Sequence, residues 1–251
     1  MDKNNLLDVF QAHEGIVCFT GAGGKKTTMY RIVSEHGGRI AITATSHIEY
    51  FPKKLDATRY IGGEKELLKL VTEDTSSRVI AFAQPSTRRG RRAGISLDMV
   101  GTFREKGNFD LLLIKADGAR SRLLKCPAEH EPPLPERTNT LIPVISAKSI
   151  GKPLTDRIAH RVEQITKVTG LEENSSIEPV HIARILASDE GALKNSRDAK
   201  VIPLINMVDN REREKLAAKA ARESLLLTDR FDYVVLASMR NVQPVVDIIY
   251  R

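Results

Sequence analysis

The sequence lacks several features that identify common protein classes. It has no Trp, and aromatic residues make up only 5% of its 251 residues, which argues against stacking platforms for bases or carbohydrate. Its two cysteines, Cys18 and Cys126, are too few for a disulfide framework. It contains no apolar run long enough to span a bilayer, and residues 1–15 lack the apolar core of a signal peptide. These absences predict a cytoplasmic protein without a membrane partner.

Positive charge is in moderate excess. Lys and Arg number 39 against 32 Asp and Glu, which gives a net charge of +7, and such a balance suits anionic partners. The basic residues are densest in residues 85–95, which contain Arg88, Arg89, Arg91 and Arg92. We interpret this segment as a basic surface loop. An RNA contact is the alternative, and the lack of interleaved aromatic residues argues against nucleic acid as a partner.

Short apolar runs alternate with longer segments of helical pattern. The runs are rich in β-branched residues, as in parallel strands that are buried on both faces. The alternation predicts one α/β domain over residues 1–251, with a doubly wound, mainly parallel sheet. The predicted strands are 15–20, 39–45, 78–83, 109–116, 139–146, 200–206 and 232–238. The predicted helices are 25–36, 64–73, 156–169, 211–226 and 242–249.

A glycine-rich loop, TGAGGKKTT at residues 20–28, joins the first predicted strand to the first predicted helix. The dinucleotide fingerprint would need a glycine where Lys26 stands, and an acid earlier than Glu49 near the second strand. A P-loop instead needs glycines, a lysine for the terminal phosphates and a hydroxyl for Mg²⁺. The loop therefore predicts a sheet of P-loop NTPase type that binds ATP or GTP with Mg²⁺. A chance glycine turn is the alternative.

The sequence allows two positions for the P-loop lysine, Lys25 and Lys26. If Lys25 is that lysine, Lys26 occupies the hydroxyl position; if it is Lys26, then Lys25 stands where the preceding glycine is expected. Both lysines are therefore candidates for stabilising the terminal phosphates, and Thr27 is the candidate Mg²⁺ ligand. The predicted nucleotide-binding residues of the loop are Gly21, Ala22, Gly23, Gly24, Lys25, Lys26, Thr27 and Thr28.

Two further strand ends carry polar residues that suit a ligand. Asp117 follows the predicted strand 109–116, where a P-loop enzyme places its second Mg²⁺ contact, and a simple Asp-Gly turn is the alternative. We predict that Asp117 acts in catalysis and, with Thr27, binds Mg²⁺. Thr45 ends the predicted second strand, where open α/β sheets place groups that contact ligands. We predict that Thr45 binds the substrate.

A third strand end bears on the base of the nucleotide. The segment NMVD at residues 206–209 matches the Asn-Lys-x-Asp pattern with which GTPases bind guanine, except that Met207 replaces the lysine. Its carboxylate would accept hydrogen bonds from the guanine N–H groups. Asn206 and Asp209 are therefore predicted to bind the nucleotide, with Ala237 and Ser238 completing the pocket. This favours GTP without excluding ATP, and an ordinary turn is the alternative.

The Pro-rich segment 126–139 is predicted to be a loop near the site. Cys126 and His130 would suit zinc only if a third ligand, such as His160, joined them. A loop made rigid by its prolines, whose polar residues bond the backbone, is the simpler interpretation, and among functional roles we prefer capture of an acidic or phosphorylated substrate. His160, within the predicted helix 156–169, is a candidate base or charge stabiliser. The other predicted substrate-binding residues here are Arg120, Arg122, Glu129, His130 and Arg161.

Five motifs in this order resemble the selenium-dependent hydroxylase accessory proteins, which are P-loop NTPase-like. The motifs are VCFTGAGGKKTTMYRI, ITATSHI, IKADGARSRLLKCPAEHEPPLP, PVISAKSIGKPLTDRIAHR and LINMVD. The resemblance runs from about Ile16 to Asp209, and ADGARSRLLKCPAEHEPPLP is its most specific part. Members usually carry Thr or Ser after the loop lysine, and often Glu where Lys115 stands, so Lys26 and Lys115 depart from the pattern.

The resemblance implies a nucleotide-binding protein that assists maturation of a selenium- and molybdenum-containing hydroxylase. Its implied partners are the nucleotide and that client enzyme or its molybdenum cofactor. Two activities remain open. The chain is either a Mg²⁺-dependent NTP hydrolase or phosphotransferase, or a non-catalytic, nucleotide-gated binding protein for the client.

Overall fold

A computed structural model describes residue 3 and residues 5–251 of the chain, so residues 1, 2 and 4 of the predicted domain 1–251 lie outside the described residues. The strands of the central sheet are β1 (Gly15–Gly21), β2 (Ile40–Ala44), β4 (Thr58–Ile61), β5 (Val79–Ala83), β7 (Leu111–Lys115), β9 (Thr140–Ser146), β11 (Lys200–Val201), β12 (Leu204–Asn206), β13 (Tyr233–Ala237) and β14 (Val245–Tyr250). Their order in the sheet is β14-β13-β12-β9-β1-β7-β2-β5-β4, and β11 also pairs with β9. Two short pairs lie outside it: β3 (Ile48–Glu49) with β6 (Arg91–Arg92), and β8 (Leu124–Lys125) with β10 (Ala159–His160).

Helices cover both faces of this sheet. They are α1 (Leu6–Phe10), α2 (Lys25–Glu35), α3 (Glu64–Glu73), α4 (Met99–Lys106), α5 (Val162–Thr169), α6 (Pro179–Ala187) and α7 (Arg211–Leu227), with a 3-10 turn at Ala147–Ser149. Residues of β1 alternate between two apolar clusters: Cys18 packs in one, and Val17 and Phe19 pack in the other. Alternation of buried residues requires a core on each face. Among the described residues, no helix has the length and apolarity needed to cross a membrane.

The strand order places the glycine loop at the switch point of the sheet. From β1 the chain builds one half of the sheet through β2, β4 and β5, returns as β7 beside β1, and then crosses to β9 on the other side. The sheet strands pair in parallel except for β14, which is antiparallel to β13. Open α/β sheets bind ligands where the order reverses, at the carboxyl ends of the strands. The predicted α/β class and its doubly wound, mainly parallel sheet are confirmed.

The predicted helix at 242–249 is wrong. Residues Val245–Tyr250 form the edge strand β14. Pro244 stands just before it and disfavours helical backbone at the preceding residue, Gln243. The run VVDIIY is mostly β-branched, which favours a strand once a partner is present, and β13 supplies that partner.

The predicted helix at 156–169 is only half right. Helix α5 begins at Val162, and Ala159–His160 form the short strand β10 against β8. The backbone turns at Thr155, whose carbonyl accepts hydrogen bonds from the N–H groups of Ile158 and Ala159. His160 therefore lies in a strand, and Arg161, with φ of 66°, precedes the helix. Neither residue lies one turn inside a helix as predicted.

Candidate functional site

The glycine loop after β1 has a backbone that only glycine permits at two positions. Gly23 and Gly24 have φ values of 105° and 124°. A Cβ on Gly23 would lie 2.7 Å from the Ser146 backbone nitrogen, and one on Gly24 would lie 2.2 Å from Asn206 Nδ2. Gly24 is also the N-cap of α2 and provides no side-chain cap. The first N–H groups of α2 therefore lie at the loop, with the positive end of the helix dipole.

Lys25, the first residue of α2, folds back over this loop. Its side chain is buried, Nζ donates a hydrogen bond to the Gly21 carbonyl, and Nζ lies 2.8 Å from Asp117 Oδ1. The Gly21 N–H donates to Asp117 Oδ2 at 2.9 Å. Burial lowers the pKa of Lys25, while the charge of Asp117 works to raise it. The end of β7 thus holds both the loop and its lysine.

Asp117 begins a chain of alternating charges that leads into the Pro-rich segment. Lys125 Nζ lies 2.8 Å from Asp117 Oδ2 and 2.5 Å from Glu131 Oε2, and Arg161 also contacts Glu131 at 2.5 Å. Burial works to raise the pKa of Asp117, but Lys25 and Lys125 outweigh it and hold that pKa at about 2. Asp117 is therefore ionised at neutral pH and carries two ammonium partners.

A cavity of about 400 Å³ opens beside the loop on the β2 and β7 side, and we call it the cationic pocket. Among the described residues that line it, Glu49 is the one carboxylate. Besides Lys25, its lining cations are Lys26, Arg88, Arg91, Lys115, Arg120 and Arg122. Such a pocket has a strongly positive potential and suits a ligand with several negative charges.

Within the cationic pocket, Glu49 joins two of the cations. Its Oε2 accepts a hydrogen bond from Lys26 Nζ, and its Oε1 accepts one from Arg91 at 3.0 Å. The Lys26 hydrogen bond lowers the pKa of Glu49. Lys26 thus points away from the loop that Lys25 covers. Arg91 lies in the segment predicted to be a surface loop, yet it forms strand β6 and lines the cationic pocket.

Lys115, the last residue of β7, is a buried cation of this pocket. Its Nζ donates to Ser46 Oγ at 2.9 Å and to the His47 carbonyl at 2.6 Å. Burial lowers the pKa of Lys115 to about 7, and the nearby charge of Lys25 adds to that effect. Lys115 therefore changes charge near neutral pH, where an anionic ligand would favour its protonated form.

A second cavity, of about 260 Å³, lies across the loop at the ends of β12 and β13, and we call it the β12–β13 pocket. Asn206 Nδ2 donates to the Gly23 carbonyl at 2.7 Å, and Asn206 Oδ1 accepts from the Met239 N–H at 3.1 Å. Asp209 Oδ1 accepts from Ser238 Oγ at 2.8 Å, and Oδ2 lies 2.8 Å from Lys148 Nζ. The Lys148 hydrogen bond lowers the pKa of Asp209.

The two pockets meet at the start of α2. Gly24, Thr27 and Met207 line both of them. A ligand with a polyanionic part and a flat polar part would therefore extend from the cationic pocket, across the loop, into the β12–β13 pocket. That is the shape and charge distribution of a nucleotide.

The remaining predicted residues of the loop and of β2 take different positions. Thr28 is buried, and its Oγ1 donates to the Gly24 carbonyl at 3.2 Å, so its hydroxyl is committed to the helix. Ala22 is also buried. Thr45 Oγ1 donates to the Pro133 carbonyl at 2.9 Å, which fastens the Pro-rich segment to the end of β2.

The predicted substrate-capture residues do not form one group. Arg120 and Arg122 line the cationic pocket, whereas Glu129 and His130 are exposed. Arg161 is bound to Glu131. His160 is partly buried and stands beside Lys125 in the β10–β8 pair.

The zinc alternative finds no support in the described part of the chain. No group of three or more His, Cys, Asp or Glu residues there is arranged to hold a metal ion. Burial raises the pKa of the Cys126 thiol to about 12, and zinc requires a thiolate. His130 is exposed while Cys126 is buried, so the two residues do not share a site.

Several ion pairs of the site were not foreseen from the sequence. Lys125 pairs with Asp117 and Glu131, which flank it in the segment after β7, and Lys148 pairs with Asp209 from a distant part of the chain. Glu131 and Lys125 lie in the most specific motif, ADGARSRLLKCPAEHEPPLP, which was the one signal that pointed to them. Nothing in the local sequence marks Lys148 as a partner of Asp209.

Comparison with known proteins identifies related sequences. The sequence model of the YqeC protein family matches residues 17–163, a region that contains the glycine loop, Asp117 and Arg161. A curated relative, the uncharacterized protein YqeC of Escherichia coli (strain K12), is 25% identical over 188 residues. That alignment covers 74% of this chain and 72% of the relative.

Proposed function

The chain belongs to the YqeC protein family, the accessory proteins that its motifs resemble, and we propose that it binds a nucleoside triphosphate at the glycine loop. One observation carries the proposal: Lys25 is held over the loop by the Gly21 carbonyl and Asp117. A buried lysine that curls over a glycine loop at a helix N-terminus is placed to reach the terminal phosphates. This geometry favours Lys25, rather than Lys26, as the P-loop lysine.

The nucleotide would place its phosphates at the start of α2 and its base in the β12–β13 pocket. Loop N–H groups and the dipole of α2 would bind the phosphates. Lys25 would then exchange the Gly21 carbonyl for a phosphate oxygen, while Lys125 continues to neutralise Asp117. The nucleotide could therefore bind without leaving Asp117 as a buried, unpaired carboxylate.

The base is guanine in this proposal. The Asp209 carboxylate is ionised and oriented by Ser238, and a carboxylate can accept hydrogen bonds from both N1–H and the exocyclic amine of guanine. Adenine offers no such pair of donors on that edge, and its N1 is an acceptor. Asn206 ties this pocket to the loop through the Gly23 carbonyl. GTP is accordingly preferred over ATP.

The reaction would be NTP hydrolysis or phosphoryl transfer during maturation of a selenium- and molybdenum-containing hydroxylase. Charge on a transferring phosphoryl group is stabilised by fixed cations, which the cationic pocket offers in Arg91 and Lys115. Arg120 and Arg122 line the same pocket and suit an anionic acceptor. His160 remains a candidate base.

A non-catalytic, nucleotide-gated binding protein is the alternative, and Lys26 at the hydroxyl position favours it. A P-loop without that hydroxyl can bind a nucleotide and turn it over slowly or not at all. The client hydroxylase or its molybdenum cofactor would then be the species whose binding the nucleotide controls.

Calorimetric titration with GTP and ATP tests the proposal. We expect submillimolar binding that weakens by about tenfold or more in Lys25→Ala, because one charge-assisted contact to a phosphate is lost. Lys69→Ala, at an exposed lysine of α3 outside both pockets, is the matched control and should bind normally. Binding that survives unchanged in Lys25→Ala would contradict the proposal. Phosphate release by the pure protein separates the enzyme from the gated binder.

A further inference from the structure

Mg²⁺ at a P-loop requires two protein features, and the first is a hydroxyl directly after the loop lysine. With Lys25 over the loop, the next residue is Lys26, whose Nζ is bound to Glu49. Thr27 lies one residue, and therefore about 100° of helix rotation, further on. The Thr28 hydroxyl is buried and donates to the Gly24 carbonyl. The hydroxyl position is thus occupied by an ammonium group.

The second feature is a carboxylate at the end of the neighbouring strand. Asp117, which follows β7, is in that place, but its charge is already neutralised by Lys25 and Lys125. Its Oδ2 accepts from the Gly21 N–H at 2.9 Å and lies 2.8 Å from Lys125 Nζ. Its Oδ1 lies 2.8 Å from Lys25 Nζ. Lys125 is buried and would stay when Lys25 moves. A divalent cation at Asp117 would face this buried ammonium, a repulsion that the low dielectric magnifies.

The predicted Mg²⁺ ligands Thr27 and Asp117 therefore do not form a set that fits the ion. The charge that Mg²⁺ would supply is available from the protein instead. Lys26, Arg91 and Lys115 line the cationic pocket, and Glu49, the one carboxylate among the described residues that line it, pairs with Lys26 and Arg91. Ammonium and guanidinium groups donate hydrogen bonds to phosphate oxygens as well as neutralising them.

We propose that Lys26 and the cationic pocket take the place of Mg²⁺, so that the protein binds the metal-free nucleoside triphosphate. Phosphate oxygens displace Glu49 from Lys26 and Arg91, and the two cations close on the terminal phosphates. The Mg²⁺ complex of the nucleotide carries less negative charge and binds more weakly. This inference rests on the proposed nucleotide binding.

Paired titrations of the wild-type chain with GTP test it, one with EDTA and one with excess Mg²⁺, at matched ionic strength. We expect the dissociation constant in EDTA to be lower than that in Mg²⁺. A dissociation constant about tenfold lower in Mg²⁺ would overturn this inference while leaving nucleotide binding in place. The absence of binding under both conditions would overturn nucleotide binding and this inference together.

Two substitutions at Lys26 separate its charge from its position. Lys26→Thr installs the missing hydroxyl, and we expect about tenfold or greater loss of affinity in EDTA with partial recovery in Mg²⁺. Lys26→Gln removes the charge without adding a hydroxyl, so its affinity should fall under both conditions. Lys26 is partly exposed, and thermal unfolding checks that both variants fold. Unchanged affinity in EDTA for both variants would refute the role of Lys26.

Discussion

The charge chain at the loop makes a specific prediction about stability. Its members Lys25, Asp117, Lys125, Glu131 and Arg161 carry three positive charges and two negative ones. Asp117→Asn keeps the shape and an acceptor for the Gly21 N–H, but it leaves Lys25 and Lys125 as buried cations without their shared partner. Removal of one partner from a buried ion pair costs about 3–5 kcal/mol. We expect Asp117→Asn to lower the free energy of unfolding by that amount.

Lys25→Met should behave differently, although it removes an ion pair of the same length. Asp117 keeps Lys125, the remaining chain is electrically neutral, and one desolvated charge has been deleted. Replacement of buried charge by an apolar side chain is often neutral or stabilising. We expect a change within about 1 kcal/mol, and we expect the double variant Lys25→Met/Asp117→Asn to be more stable than Asp117→Asn alone.

Urea unfolding with fitted midpoints and m-values measures these differences. Asp232→Asn is the matched control, because Asp232 forms an exposed ion pair with Lys200, and exposed pairs contribute about 0–1 kcal/mol. If Lys25→Met is destabilised as much as Asp117→Asn, the burial argument is refuted. A double variant no more stable than Asp117→Asn would refute it as well.

Three further predictions concern the ligand. Gly24→Ala should abolish nucleotide binding and destabilise the chain, because its Cβ would overlap Asn206 and φ is 124°; Gly101→Ala in α4, where a Cβ has open space, is the control, and both are measured by thermal unfolding and calorimetry. Affinity should fall by up to about tenfold per pH unit above pH 7, because the bound anion raises the pKa of Lys115, which is about 7 in the free protein, and binding then requires the uptake of a proton from solvent. Lys115→Met should flatten this dependence, and a steep profile in that variant would assign the proton to another group. Asp209→Asn should lose GTP and gain XTP, because xanthine presents an oxygen where guanine presents an amine; equal binding of GTP by both proteins would exclude Asp209 as the base contact.

Much of the sheet could be predicted because its central strands are buried on both faces and read as continuous apolar runs. Helix α3 was predicted with its observed bounds, Glu64–Glu73, from its amphipathic pattern. The edge strand β4 (Thr58–Ile61) was missed because its residues alternate between half-buried and exposed and only Tyr60 and Ile61 are apolar. The apolar pattern of β14 was compatible with a helix as well as a strand, and pairing with β13 determines that it is a strand.

The site could be predicted only as far as chain order determines it. The glycine loop and Asp117 follow adjacent parallel strands, so their proximity follows from the fold. The partners that set their charge do not follow from chain order alone, since Lys125 lies in the short strand β8, which pairs with β10, and contacts Asp117 through a salt bridge that no local pattern announces. Glu49 argued against a dinucleotide site because it lies several residues beyond the end of β2. In the structure this position allows Glu49 to pair with Lys26.

The buried charges also explain why stability and binding should oppose each other at this loop. Without a ligand, Lys25 is desolvated and shares one carboxylate with Lys125, so the loop holds more positive charge than its own acids neutralise. A phosphate supplies the missing negative charge, and part of its binding free energy is the relief of that excess. Lys25→Met obtains the same relief without a ligand, which is why it should preserve stability while it removes binding. Preserved stability together with lost binding in Lys25→Met would assign Lys25 to the ligand rather than to the fold.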